Sequence, residues 1–189
     1  KNFTTVLSVV NKRSILSSRN GRSYMDNIEK IKKLKEEKNA IILAHYYVDE
    51  EVQKIADYIG DSFYLAKVAS QTEADRIVFA GVEFMGESAK ILNPNKKVLM
   101  PDAFADCPMA HMITIKEIKE MREKYDDLAV VCYINSTAEI KQYADVCVTS
   151  SNAIKIVKAL PQKNIFFIPD QNLGDFVRRQ VPEKNVMTN

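Results

Sequence analysis

The sequence predicts an α/β protein made of tandem homologous three-layer αβα domains, Rossmann-like and with small parallel sheets. Three observations predict it. Residue n and residue n+88 match without a gap over two long stretches, and a repeat of that length suits a small αβ domain rather than a solenoid unit. Short all-apolar runs alternate with segments of helical period, the order expected of parallel strands covered by helices. Finally, 189 residues at 46% apolar content can bury two cores of that size.

The repeat is detailed. His45 falls on Tyr133, Tyr47 on Asn135, Glu51 on Glu139, Ala56-Asp57 on Ala144-Asp145 and Ser62 on Ser150. Lys67 falls on Lys155, Ile77 on Ile165, Phe79 on Phe167 and Gly86 on Gly174. In chain order, Asp26 to Glu37 carries Ile28, Ile31 and Leu34 at helical spacing, with Asp26 placed to cap it. Ala40 to Ala44 is all apolar and too short for a helix, so it reads as a strand buried on both faces. Val48 to Tyr58 reads as a helix, and Ser62 as the N-cap of the next one. Arg76 to Gly81 is a strand, Glu83 to Leu92 a helix, Asn93-Pro94-Asn95 a turn, and Lys97 to Met100 a third apolar run ended by Pro101.

The second copy repeats the order. Leu128 to Cys132 is a strand, Thr137 to Tyr143 a helix, Val146 to Val148 a short strand, and Ser150 caps a helix through Leu160. Asn164 to Ile168 is a strand stopped by Pro169-Asp170, and a further helix begins at Leu173. The domains expected are therefore a leader over 1–24, a first αβα domain over 25–100, a connection over 101–127 and a second αβα domain over 128–189.

Charge and motifs narrow the function. Five of the 27 basic residues and none of the 25 acidic ones fall in residues 1–24, so the rest is mildly acidic, which argues against a nucleic-acid surface. The acid-poor, Ser- and Arg-rich leader precedes Met25, a candidate native start; a transit peptide is the alternative. No apolar stretch is long enough for a membrane span, so a cytoplasmic protein without a membrane partner is expected. No GxGxxG or P-loop is present, so a nucleotide is not the obvious ligand. Cys107, Cys132 and Cys147 form no CxxC pair and no disulfide framework.

In a parallel sheet the ligand lies beyond the carboxyl ends of the strands, where His45 and Tyr47, then Tyr133 and Asn135, stand. On position alone His45 reads equally well as a half-buried histidine tying a loop. Ser62 and Ser150 would each offer a hydroxyl beside free helix N–H groups, a site for anions, although plain capping explains either serine alone. Cys107 precedes Pro108 in a loop, at a place where N–H groups would favour a thiolate. Cys132 and Cys147 sit in apolar runs and read as small core residues.

The motifs Leu43-Ala-His-Tyr-Tyr47, Gly60-Asp-Ser62, Gly81-Val-Glu-Phe-Met-Gly-Glu-Ser88, Cys107-Pro-Met-Ala110, Cys132-Tyr-Ile-Asn-Ser136, Thr149-Ser-Ser-Asn-Ala153 and Pro169-Asp-Gln-Asn-Leu-Gly174 together resemble the quinolinate synthase family. The resemblance implies a transferase of NAD biosynthesis that condenses iminosuccinate with dihydroxyacetone phosphate to quinolinate. It implies a pseudo-threefold, three-domain arrangement around a [4Fe-4S] cluster held by one cysteine per domain, with Cys107 as the metal ligand of the first. It further implies His45 and Tyr47 as catalytic residues, and His45, Ser62, Tyr133, Ile134, Asn135 and Ser150 as substrate-binding ones. L-Aspartate oxidase would supply iminosuccinate, and a homodimer is compatible with the family. Asp106 and His111 depart from the family's usual small residue and aspartate, which alters the charge beside the cysteine. The other two cluster cysteines are expected beyond residue 189, so the chain alone is expected not to turn over. The alternative is a small-anion-binding module or a frameshifted remnant without catalysis.

Overall fold

A computed structural model describes the backbone of residues 20–189 and the side chains from residue 27 onward. The chain divides into two compact units between Asp106 and Cys107. Residues 1–19 of the expected leader lie outside the described residues.

The first unit runs α1 (Asn20–Glu37), β1 (Ala40–His45), α2 (Glu50–Gln53), β2 (Tyr58–Gly60), α3 (Ser62–Gln71), β3 (Arg76–Ala80), α4 (Glu83–Leu92) and β4 (Lys97–Leu99). Its four strands form one parallel sheet in the order β2-β1-β3-β4. The central strands are almost wholly buried, as parallel strands covered on both faces must be. Alternation splits them between two layers. Ile42 and Val78 pack with Ile31 of α1, while Leu43 and Phe79, buried on the opposite face, lie where α3 packs on β1 and α4. The turn after α1 passes through Asn39 at φ 45°, a left-handed position that asparagine tolerates, and its carbonyl accepts the N–H groups of Asp75 and Arg76.

The second unit contains a 3₁₀ turn (Pro108–His111), then α5 (Ile115–Lys124), β5 (Leu128–Tyr133), α6 (Ala138–Lys141), β6 (Val146–Val148), α7 (Ala153–Ala159), β7 (Asn164–Ile168), α8 (Gln171–Gln180) and β8 (Asn185–Thr188). The sheet order is β6-β5-β7-β8, again parallel. Ala129, Val131, Ile165 and Phe167 pack with α7 and α8, and Val130, Cys132, Phe166 and Ile168 pack with α5 and α6. The three-layer sandwich is thus literal in this unit.

The registers repeat as the residues do. Ala40 pairs with Arg76 and Leu128 with Asn164; Leu43 pairs with Tyr58 and Val131 with Val146; Arg76 pairs with Lys97 and Asn164 with Asn185. Every pair is its counterpart displaced by 88 positions. The expected α/β class of tandem parallel-sheet units stands.

Several boundaries differ. α1 starts at Asn20, so Asp26 lies inside it rather than capping it. The helix expected over Val48 to Tyr58 is cut to Glu50–Gln53, because Asp57 is drawn to β1 by its backbone and side chain and Tyr58 enters an edge strand. The connection expected over 101–127 contains α5, which starts with a capping box between Thr114 and Glu117. Ser62 is the first helical residue and Asp61 is its N-cap, while α7 starts at Ala153 with Asn152 before it, leaving Ser150 in the preceding turn.

Candidate functional site

Carboxyl ends of parallel strands leave polar side chains at the sheet's edge, and each unit presents one such set. In the first unit, β1 ends at His45, whose register partner is Gly60 at the end of β2. The Tyr46 N–H donates to the Gly60 carbonyl at 3.2 Å, which holds the β1 exit against the β2 exit. Ser62 follows two residues later as the first residue of α3. The structure therefore brings His45, Tyr47 and Ser62 to one edge.

His45 is half-buried. The Tyr46 ring stacks on it at 4.5 Å and the Tyr47 ring meets it edge-on at 4.7 Å. Burial pushes the imidazole pKa down, and the Asp61 carboxylate pulls it partly back up. Near neutral pH the imidazole is therefore uncharged and has a ring nitrogen able to accept a proton. Tyr47, 80% exposed, carries its hydroxyl into solvent beside that ring.

The expected anion site at Ser62 is partly taken. Asp61 accepts the Tyr64 N–H at 2.7 Å, so one donor of the helix end is used and a carboxylate stands beside the others. An anion bound here competes with Asp61, whereas a hydroxyl or imine group does not.

In the second unit β5 ends at half-buried Tyr133, and the Ile134 N–H donates to the Val148 carbonyl at 2.9 Å, repeating the Tyr46–Gly60 bond. The Ser136 hydroxyl donates to the Tyr133 carbonyl at 2.9 Å and closes a tight turn. Inside that turn the Asn135 side-chain oxygen is buried without a hydrogen-bond partner among the described residues. Such an atom carries a desolvation penalty that a donor would remove. Ser150 is exposed in a hydroxyl-rich turn, where Thr149 and Ser151 share a hydrogen bond at 2.9 Å and Asn152 accepts the Thr149 N–H at 2.8 Å. No acidic residue stands in the first turn of α7, unlike the Asp61 end of α3. Tyr133, Ile134, Asn135 and Ser150 therefore share the edge formed by the ends of β5 and β6.

Cys107 is half-buried at the residue before the 3₁₀ turn, with Pro108 at its first position. Cys147 is not the core residue expected: it is exposed, because β6 is an edge strand, while Cys132 across from it is fully buried. Among the described residues no group of three or more His, Cys, Asp or Glu side chains could hold a metal ion, and no helix is long and apolar enough to cross a membrane.

Sequence reasoning missed Asp61 and Asn152. Both were signalled, since each is an Asx residue directly ahead of a helical period.

Residues 29–189 match the family described as Quinolinate synthetase A protein (NadA). The chain is 68% identical over 161 residues to a quinolinate synthase of Fusobacterium nucleatum, covering 85% of this chain and 54% of that protein. It is 55% identical over 165 residues to a quinolinate synthase of Caldicellulosiruptor bescii, covering 85% and 54%. It is 58% identical over 156 residues to that of Aquifex aeolicus, covering 82% and 48%. The chain thus spans about half the length of the curated relatives it matches.

Proposed function

The chain belongs to the quinolinate synthetase A family, and from that membership we propose that its residues serve a quinolinate synthase, a transferase that condenses iminosuccinate with dihydroxyacetone phosphate to quinolinate for NAD biosynthesis. The observation that carries the reading is the doubled edge: His45, Tyr47 and Ser62 in one unit, and Tyr133, Asn135 and Ser150 at the positions 88 residues on. Small substrates rich in carboxylate, phosphate, imine and hydroxyl groups suit such edges.

Each residue has a role that its surroundings support. Uncharged His45 accepts a proton at its free ring nitrogen from a carbon or nitrogen acid, and the Tyr47 hydroxyl beside it returns one to a departing oxygen. Ser62 hydrogen-bonds a neutral polar group, since Asp61 disfavours an anion there. Ser150, in a turn of hydroxyls without an acidic neighbour at the helix start, donates to carboxylate or phosphate oxygens. The Asn135 side-chain oxygen accepts from a substrate hydroxyl or imine N–H and so loses its desolvation penalty. Tyr133 and Ile134 stand at the same strand edge as Asn135 and Ser150.

The family resemblance also brings a [4Fe-4S] cluster. A cluster takes several thiolates, and the described residues, with no group of three ligands, do not fit a complete site. Cys107, half-buried and loop-borne, fits a single ligand position, and Cys132 and Cys147 lie on the paired strands β5 and β6. The cytoplasmic placement, the supply of iminosuccinate by L-aspartate oxidase, and a homodimer belong to the same proposal.

The test is quinolinate formation by the complete gene product under anaerobic conditions, with iminosuccinate generated in place by L-aspartate oxidase. The expected result is turnover that falls about 100-fold or more in His45→Gln, and a raised KM with smaller loss of kcat in Ser150→Ala. Binding of dihydroxyacetone phosphate without any quinolinate would overturn the reading in favour of an anion-binding module.

A further inference from the structure

Cys132 and Cys147 were each unremarkable alone; the fold makes them a pair. They are register partners on the adjacent parallel strands β5 and β6, so their side chains leave the same face of the sheet. Adjacent strands lie about 4.7–4.9 Å apart, inside the roughly 4.4–6.8 Å between Cα atoms that a disulfide spans. The Cys132 S–H donates to the Tyr133 carbonyl at 3.4 Å, and each sulfur perturbs the ionisation of the other. Exposure separates their roles: Cys132 is fully buried beside Ile140 and Ile168, whereas Cys147 lies on the exposed edge strand.

We propose that Cys147 and Cys132 form a thiol–disulfide exchange site whose substrate is a low-molecular-weight disulfide, with Cys147 the attacking thiol and Cys132 the resolving one. The Cys147 thiolate attacks one sulfur of the small disulfide, a mixed disulfide forms, and the first small thiolate leaves and takes up a proton. Cys132 then gives up its proton and attacks the Cys147 sulfur, expelling the second small thiolate. Two protein thiols are oxidised, one small disulfide is reduced to two thiols, and no other oxidant is required.

The electrostatics agree with that order. The Cys132 S–H and the Lys141 ammonium favour the Cys147 thiolate, bringing its pKa down to about 7 against the opposing effect of burial. The adjoining Cys147 sulfur and then burial push Cys132 strongly upward, so it remains a protonated thiol until the mixed disulfide draws it in. The closed bridge joins β6 to β5 at the residue before Tyr133.

The test uses the reduced full chain with excess oxidised glutathione, quenched by alkylation and digested with trypsin without reduction. Cleavage at Lys141 separates the two cysteines into peptides 125–141 and 142–155, and Cys107 falls in 98–116. The expected result is a disulfide-linked pair of 125–141 and 142–155 that dithiothreitol releases, preceded in time by glutathione on 142–155. Cys132→Ser is expected to stop at stable glutathione on Cys147; should that variant not fold, the time course of the unaltered chain decides alone. Glutathione retained on Cys147 while Cys132 still alkylates, first modification on 125–141, or a bridge to Cys107 would each overturn the proposal.

Discussion

Asp57 and Asp145 look alike in sequence, and their surroundings grade them. Each carboxylate accepts a backbone N–H of the neighbouring central strand, from Ile42 at 2.8 Å and from Val130 at 2.7 Å, and each has a cation on its flank, Lys35 or Arg122. The Asp57 side chain is 26% exposed and the Asp145 side chain 41%, so solvent screens the second pair more. Asp57→Ala should lower unfolding free energy by about 1.5–3 kcal/mol, Asp145→Ala by less, and Asp57→Asn, which keeps an acceptor for Ile42, by less than Asp57→Ala. Urea titrations of the three variants check the ranking, and an Asp145 loss above the Asp57 loss would contradict it. His45 makes a prediction of opposite chemistry. Its folded pKa lies below the ordinary value, so protonation opposes folding. The stability it permits is complete above about pH 6.5 and declines as pH falls through that value toward the lower folded pKa. Unfolding measured near about pH 7.5 and about pH 5.5 should show a larger drop for the unaltered chain than for His45→Gln; equal drops would sink this account.

Helices must approach their sheet closely, and here two glycines make the contact. A Cβ on Gly174 of α8 would stand 2.4 Å from the Thr188 methyl in β8 and 3.2 Å from the Phe167 ring, both held by the sheet. The nearest atoms to a Cβ on Gly86 of α4 would be those of the Met100 side chain, its sulfur at 2.3 Å, and a thioether can swing aside. Alanine improves helix propensity by about 1 kcal/mol, while overpacking costs about 1–3 kcal/mol. Gly174→Ala should therefore destabilise by about 1–2 kcal/mol and Gly86→Ala should stay within about 0.5 kcal/mol of neutral, a difference that paired thermal melts resolve. The same elements show what was legible beforehand. β1, β3, β5 and β7 are buried on both faces, so their apolar runs announce them. β2 is three residues, two of them exposed, with no apolar run, and only its copy, Val146-Cys-Val148, carries the pattern. α5 was hidden by highly charged residues, although Ile115, Ile118 and Met121 keep helical spacing. Ser62 reads as the cap from its place between Gly60-Asp61 and the helical run, yet the aspartate one residue earlier binds the Tyr64 N–H more strongly than a hydroxyl would.

At the scale of the molecule, the repeat settled the edges and left the rest of the site unread. Strand-end residues such as His45 and Tyr133 follow from where apolar runs stop, but the Cys132–Cys147 pairing needs the register of strands 15 residues apart in the chain, which no local pattern states. The unit from Cys107 to Asn189 has both faces of its own sheet covered by its own helices, and all its strand pairing is internal. A domain of about 80 residues buries some 60–65% of its chain surface and can fold alone. Expressed by itself, 107–189 should give a dispersed amide spectrum and a cooperative melt. Its stability, at about 0.05–0.15 kcal/mol per residue, would be roughly 4–12 kcal/mol. Phe167 is wholly buried between α7, α8 and the sheet, and Phe167→Ala should remove about 3–5 kcal/mol. The variant should then melt far below the unaltered unit, whereas Phe176→Ala, 44% exposed on α8, should leave the melt nearly in place. An isolated unit without a cooperative transition would show that its core, complete on paper, is not sufficient to fold it.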